Sequence, residues 1–143
     1  MPTFYLSFGI AVLASVLYHT FQKATSPAVN PAVGLTVTYL IALGLSAFLI
    51  IIFPLDGSIR DELRKVNWAS LALGVALVGL EVGFLLAYRS GWNLSIAAVA
   101  ANVAAALVLL PAGIALFKER PTWINIAGVF VCIIGLVMVS TRR

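Results

Sequence analysis

Glu81 stands between Leu80 and Val82 and is the only charged residue from Val66 to Tyr88. A carboxylate carried to the middle of a bilayer costs roughly 2.5–3.5 kcal/mol on insertion scales, so such a residue usually faces a protein interior or a wet cavity. The chemistry open to it is proton exchange or the binding of a cation, because loss of water disfavours the charged form of an acid. A purely structural role, as a carboxyl hydrogen-bonded to a neighbouring span, is the alternative. Gly79 and Gly83 flank it at i−2 and i+2, which surrounds the acid with small residues. Three further polar residues are candidates for the same site. Asn102 lies well inside another apolar run, with Pro111 beyond it. It either ties helices together or lines a cavity. Tyr18 and His19 belong to a set with Ser15 and Gln22 whose i, i+3, i+4 and i+7 offsets share one helix face. That face looks into a cavity or meets the lipid headgroups. The candidate substrate and proton site is therefore Glu81, Asn102, Tyr18 and His19.

Other chemistry finds no support. The chain has no Gly-rich phosphate loop and no nucleophile–base motif, so no enzyme and no cofactor are expected. His19 is the only histidine, which excludes an all-histidine metal site within one chain. Cys132 is the sole cysteine, so neither an intramolecular disulfide nor a cysteine cluster can form. No metal site is expected.

The surroundings of these residues are lipid-like. Of 143 residues, 62% are hydrophobic and 10% are charged, against roughly 25% charged in ordinary globular chains. The mean hydropathy is +1.10. The charges cluster between long apolar stretches, as in a multi-pass membrane protein. The net charge of +4 does not point to nucleic acid, because the bases lie at segment ends where they meet headgroups.

Five spans are expected, at about 3–22, 32–53, 69–88, 94–117 and 124–140, in a single domain covering 1–143. Each is about 17–25 residues, enough to cross hydrocarbon about 30 Å thick. Trp68, Trp92 and Trp123 all fall at span boundaries, where interfacial indoles belong. The first run is as long as a full span and lacks a basic leader before it, so it is expected to stay on the protein. The loop from Leu55 to Asn67 carries six charges, with Ile59, Leu63 and Val66 at helical spacing after Ser58. A short surface helix and a solvated loop both fit. Small residues suit close helix approach: Gly79 with Gly83, and the Ala97, Ala101, Ala105 and Ala100, Ala104 stripes.

From Trp92 onward the chain resembles a known family. Leu116-Phe117-Lys118-Glu119-Arg120-Pro121, then Ile126-Ala127-Gly128 and Gly135-Leu136-Val137, resembles the last two helices of drug/metabolite transporter superfamily proteins. Five spans in this length resemble one EamA repeat, of which ordinary members carry two in inverted orientation. The first and last spans are also similar to small multidrug resistance proteins, whose final-helix glycines mark a dimer contact. That resemblance places Gly128, Cys132 and Gly135 at the contact face. The essential glutamate of that group has no counterpart near Ser15, and its Tyr and Trp are replaced by Ala97-Ala98-Val99-Ala100-Ala101. Its cation site is therefore not carried over, and equivalent work would fall to Glu81. Glu119 matches a turn glutamate and is expected to be structural.

The resemblance implies an all-α membrane protein of five transmembrane helices, one EamA-like repeat, forming an antiparallel homodimer in a bacterial-type inner membrane. Its expected function is proton-coupled secondary transport of a small solute, with the lipid bilayer and a small-molecule substrate as partners. The alternatives are a non-transporting membrane subunit, a lipid-carrier-binding partner, or one half of a heterodimeric transporter. Charge bias gives orientation little to act on. Arg60, Arg64, Lys65, Lys118 and Arg120 fall on one face of the five-span arrangement, and Lys23, Arg89, Arg142 and Arg143 on the other. Single cysteines introduced at positions 2 and 143 should each label partially from outside in right-side-out vesicles. Both termini labelling fully from one side would overturn the span count.

Overall fold

The computed structural model describes residues 2–140, and among them the regular secondary structure is all helical. Arg142 and Arg143, counted above among the bases of one face, lie outside the described residues. Six α-helices run in order: α1 Pro2–Ala24, α2 Pro31–Phe48, α3 Ile59–Lys65, α4 Trp68–Arg89, α5 Leu94–Phe117 and α6 Trp123–Ser140. Helix is what hydrocarbon demands, because each backbone donor and acceptor must be satisfied within its own segment. Four helices are long and apolar enough to cross a bilayer: α1, α2 with the turn after it, α4 and α5. The fifth apolar helix, α6, is shorter, with 18 residues.

The ends of these helices follow from local chemistry. Asn30 caps α2, its side-chain oxygen accepting from the Ala32 N–H at 2.9 Å, with Pro31 in the first turn where no N–H is needed. The second span, expected to about Phe53, is α-helical only to Phe48 and tightens into a 3₁₀ turn over Leu49–Ile51. Helical bonding persists to Phe53, whose N–H reaches the Leu49 carbonyl at 2.8 Å, and the chain then meets Pro54. The loop that followed is a helix after all. Ser58 caps α3, its hydroxyl accepting from the Asp61 N–H at 3.2 Å and donating to the Asp61 carboxylate at 2.6 Å. Acids in the first turn and bases in the last complement the helix dipole. Pro111 does not break α5, which continues through it to Phe117.

Residues 21–89 make one compact unit, and those up to 20 together with those from 90 onward make another. In the first, α2 packs on α4. In the second, α5 and α6 form a hairpin. The turn between them is closed by a left-handed Lys118 at φ 55°, and the Glu119 N–H reaches back to the Gly113 carbonyl at 3.1 Å. The Lys118 N–H reaches the same carbonyl, and lysine takes the left-handed helix-end conformation where glycine is usual. The Glu119 carboxylate folds over Gly113, occupying the place where a Cβ would stand.

Away from these contacts the helices present large apolar side chains outward. Phe8 on α1, Val75 on α4 and Phe130 on α6 are each more than 60% exposed. In water, leaving such a side chain uncovered forfeits about 1.5–3 kcal/mol of burial free energy. In hydrocarbon it forfeits almost nothing, so the outward faces suit lipid. This is an integral, multi-pass membrane protein. Gly79 and Gly83 are among the open positions: a Cβ at either would meet no described atom within 4 Å. The close helix approach expected at this pair is not made within the described chain.

Gly91, between α4 and α5, has φ 95° and open space around it. Only its backbone conformation resists a side chain. Gly91→Ala should therefore destabilise by about 1–2 kcal/mol, with Gly91→Asn costing less because Asn tolerates positive φ. Thermal unfolding in detergent checks this ranking.

Candidate solute and proton site

The acid of α4 is on the helix face that points into the protein. Glu81, Leu85 and Tyr88 are spaced i, i+4 and i+7, which stacks them along one stripe. Leu85 and Tyr88 are buried, and Glu81 is half-buried beyond them. Along the helix Glu81 is thirteen residues past Trp68 and eight before Arg89, so about 20 Å from one end and 12 Å from the other. It sits within about one turn of the helix middle, displaced toward the Arg89 end.

Its partner comes from the last turn of α1. The Gln22 amide nitrogen donates to the Glu81 carboxylate Oε2 at 3.0 Å and to the Glu81 backbone carbonyl at 2.9 Å. One amide group thus spends both its hydrogens on one residue. The arrangement fixes the carboxylate's position and couples the end of α1 to α4. It also answers the cost of burial, since a carboxylate without a donor would lose hydration with nothing in return. Gln22 was placed on the polar face of the first span by its spacing, but nothing in that spacing marked it as the partner of Glu81.

A further hydroxyl reaches the same region from α2. Tyr39 lies within electrostatic range of the Glu81 carboxyl. Its hydroxyl is buried and, among the described residues, has no hydrogen-bond partner. A buried phenol with an unmet donor is costly in a finished core and useful in a binding site, where a ligand supplies the missing acceptor. Sequence reading missed Tyr39 because it stands alone in the apolar run of α2, with no periodic polar face around it. Glu81 and Gln22 bring an acid and an amide together from two helices, and Tyr39 on α2 feels the charge of the acid. Such a set can take up a proton or hold a cationic or polar solute.

The other candidates are placed as follows. Tyr18 and His19 meet edge to face, their ring centroids 4.9 Å apart at 73°, and His19 is buried. Asn102 lies on α5 and is exposed. On α6, Gly128 and Cys132 are exposed and Gly135 is half-buried, with no described atom near a Cβ built at either glycine. That face is open in the single chain. Among the described residues no cluster of His, Cys, Asp or Glu could hold a metal ion.

Removing the amide should expose the dependence of Glu81 on it. Gln22→Leu should lower stability near neutral pH by about 1–2 kcal/mol, the cost of taking this donor from a half-buried carboxylate. Glu81→Leu in the same background should recover part of that loss, because both partners are then apolar. A double-mutant cycle by thermal unfolding measures the coupling.

Residues 3–141 match the EamA-like transporter family, almost the whole chain. No curated protein and no solved structure gave a significant match.

Proposed function

Because the chain belongs to the EamA-like transporter family, within the drug/metabolite transporter superfamily, we propose that it moves a small solute across its membrane by secondary transport, with Glu81 as the working group. The observation that carries this reading is the Glu81–Gln22 pair, an acid held in place within apolar helices by one amide group. Proton uptake by the acid frees the site of charge, and proton release prepares it to hold a cationic or polar solute. Exchange of the two across the membrane is coupled antiport. Tyr18, His19 and Asn102 are further polar groups for the solute path.

In this reading α6 completes five spans, and two oppositely inserted copies form the transporter. Their pairing would reproduce the inverted repeats of two-repeat transporters. The open face at Gly128, Cys132 and Gly135 is the proposed contact, and a bacterial-type inner membrane the proposed location. Cross-links through introduced cysteine pairs decide the arrangement: dimers linked only in parallel would rule out the inverted pair.

Proteoliposomes enclosing a pH-sensitive dye test the coupling. A panel of small cationic and polar solutes should include at least one that drives proton flux through the wild-type protein. Glu81→Gln keeps side-chain size and hydrogen bonding but cannot titrate, so it should fold and dimerise normally while proton-coupled flux is lost. Flux with an unchanged pH profile in that variant would make Glu81 structural and pass the role to Tyr18, His19 or Asn102.

A further inference from the structure

One amphipathic element takes no part in the transport reading. Helix α3 is fixed at both ends by its own chain. Ser58 caps its start, and only Val66 and Asn67 separate it from α4. The Asn67 side chain accepts from the Ala69 N–H at 3.1 Å, so the corner into α4 is itself capped. Among the described residues α3 packs against no other helix. Isolated helices shorter than about 12–15 residues are marginal in water, and α3 has 7. Without a cover it would fray.

The side chains show which face needs the cover. Ile59, Leu63 and Val66 stand at i, i+4 and i+7, which brings them to one face, and each is more than half exposed. Val66 ends the helix with its N–H still bonded to the Leu63 carbonyl at 3.2 Å. Asp61, Arg64 and Lys65 lie on the other side. The Lys65 ammonium meets the Glu62 carboxylate at 2.6 Å, and Asp61 accepts from the Ser58 hydroxyl. Location selects lipid as the cover. Helix α4 is long and apolar enough to cross a bilayer, and it opens with the exposed indole of Trp68. The chain from Lys65 to Trp68 reaches about 10 Å at most, so α3 ends at the level where that span meets the headgroups. Ile51 and Phe53, at the end of the second span, are likewise exposed. A protein partner finds little to hold, since stable contacts engage about 20–30 residues a side and this stripe is Ile59, Leu63 and Val66 alone. Charge is not the tie either, because Asp56, Asp61 and Glu62 offset Arg60, Arg64 and Lys65.

We propose that α3 is an interfacial anchor, lying in the membrane plane with Ile59, Leu63 and Val66 sunk about 5–10 Å into the boundary between headgroups and acyl chains. Its partner is the lipid surface, and no anionic lipid is required. The apolar face leaves water there, while Arg64 and Lys65 keep their charged heads in it. The backbone gains as well, because hydrogen bonds closed within a helix spare it from meeting the acyl chains unpaired.

Nitroxide labels on the protein in phosphatidylcholine nanodiscs test this. Cys132→Ala removes the sole cysteine. Ile59→Cys, Leu63→Cys, Arg64→Cys, Lys65→Cys and Val66→Cys are then introduced one at a time and labelled. Collision with oxygen reports hydrocarbon, and collision with a water-soluble nickel chelate reports solvent. The oxygen-to-nickel ratio at positions 59, 63 and 66 should exceed that at 64 and 65 severalfold, with or without added phosphatidylglycerol. Free nickel access at every labelled position overturns the proposal in favour of a solvated segment. Low access to both reagents at 59, 63 and 66 overturns it in favour of a protein cover such as a second copy. A pattern that appears only with phosphatidylglycerol does so in favour of charge attraction. A label can itself seek lipid, so Leu63→Asp is combined with the labels at 59 and 66. It should shift both toward the chelate, and an unchanged ratio there means that the native stripe is not what holds α3, which also defeats the proposal.

Discussion

A carboxyl group inside an apolar helix must find its donor within the protein, and Glu81 finds it in the Gln22 amide. Hydrocarbon offers no water to correct a mistake, so the rule that makes every span a helix also governs the few polar side chains the spans carry. The bond fixes which turn of α1 lies beside α4. It also makes the buried stripe of Glu81, Leu85 and Tyr88 the inward face of α4, leaving Val75 and its neighbours to lipid. An amide from a neighbouring helix thus helps to place the acid.

The two families of interaction in this chain work on different scales. Apolar outward faces set the environment of every helix and specify no particular neighbour. Polar contacts are few and each specifies one position: Asn30 starts α2, Ser58 starts α3, and Gln22 meets Glu81. The turn after α5 combines both kinds. Lys118 takes a backbone shape that lysine seldom adopts, and Glu119 covers the bare Cα of Gly113, so the α5–α6 hairpin closes on a glycine buried in the helix.

Much of the architecture was legible from residues alone. Long apolar runs separated by charged punctuation marked the helices, and Leu94–Phe117 falls where the run itself predicts. Trp68 and Trp123 open α4 and α6, which is where boundary indoles were expected. The tightening of the second span into a 3₁₀ turn over Leu49–Ile51 was not legible, because hydropathy does not distinguish the two kinds of helix. The surface helix stayed undecided because seven residues are too few for periodicity to outweigh a solvated loop. At the site, Glu81 was legible because a charge in lipid is conspicuous. Gln22 as its partner and Tyr39 as its neighbour were not, since pairing across helices depends on packing that composition does not record.

Arg89 and Glu81 tie α4 to the same stretch of chain by contacts of different permanence. The guanidinium holds the Ser26 and Val29 carbonyls at every accessible pH, because it does not titrate in proteins. The Gln22–Glu81 contact does respond to protons: when the acid is neutral the bond loses its charge assistance and about half its strength. A lever needs both a bearing that never slips and a catch that does. The α1–α2 turn is journalled on Arg89, and the catch lies two helical turns away, where a single proton loosens one of its two bonds and leaves the one to the Glu81 carbonyl.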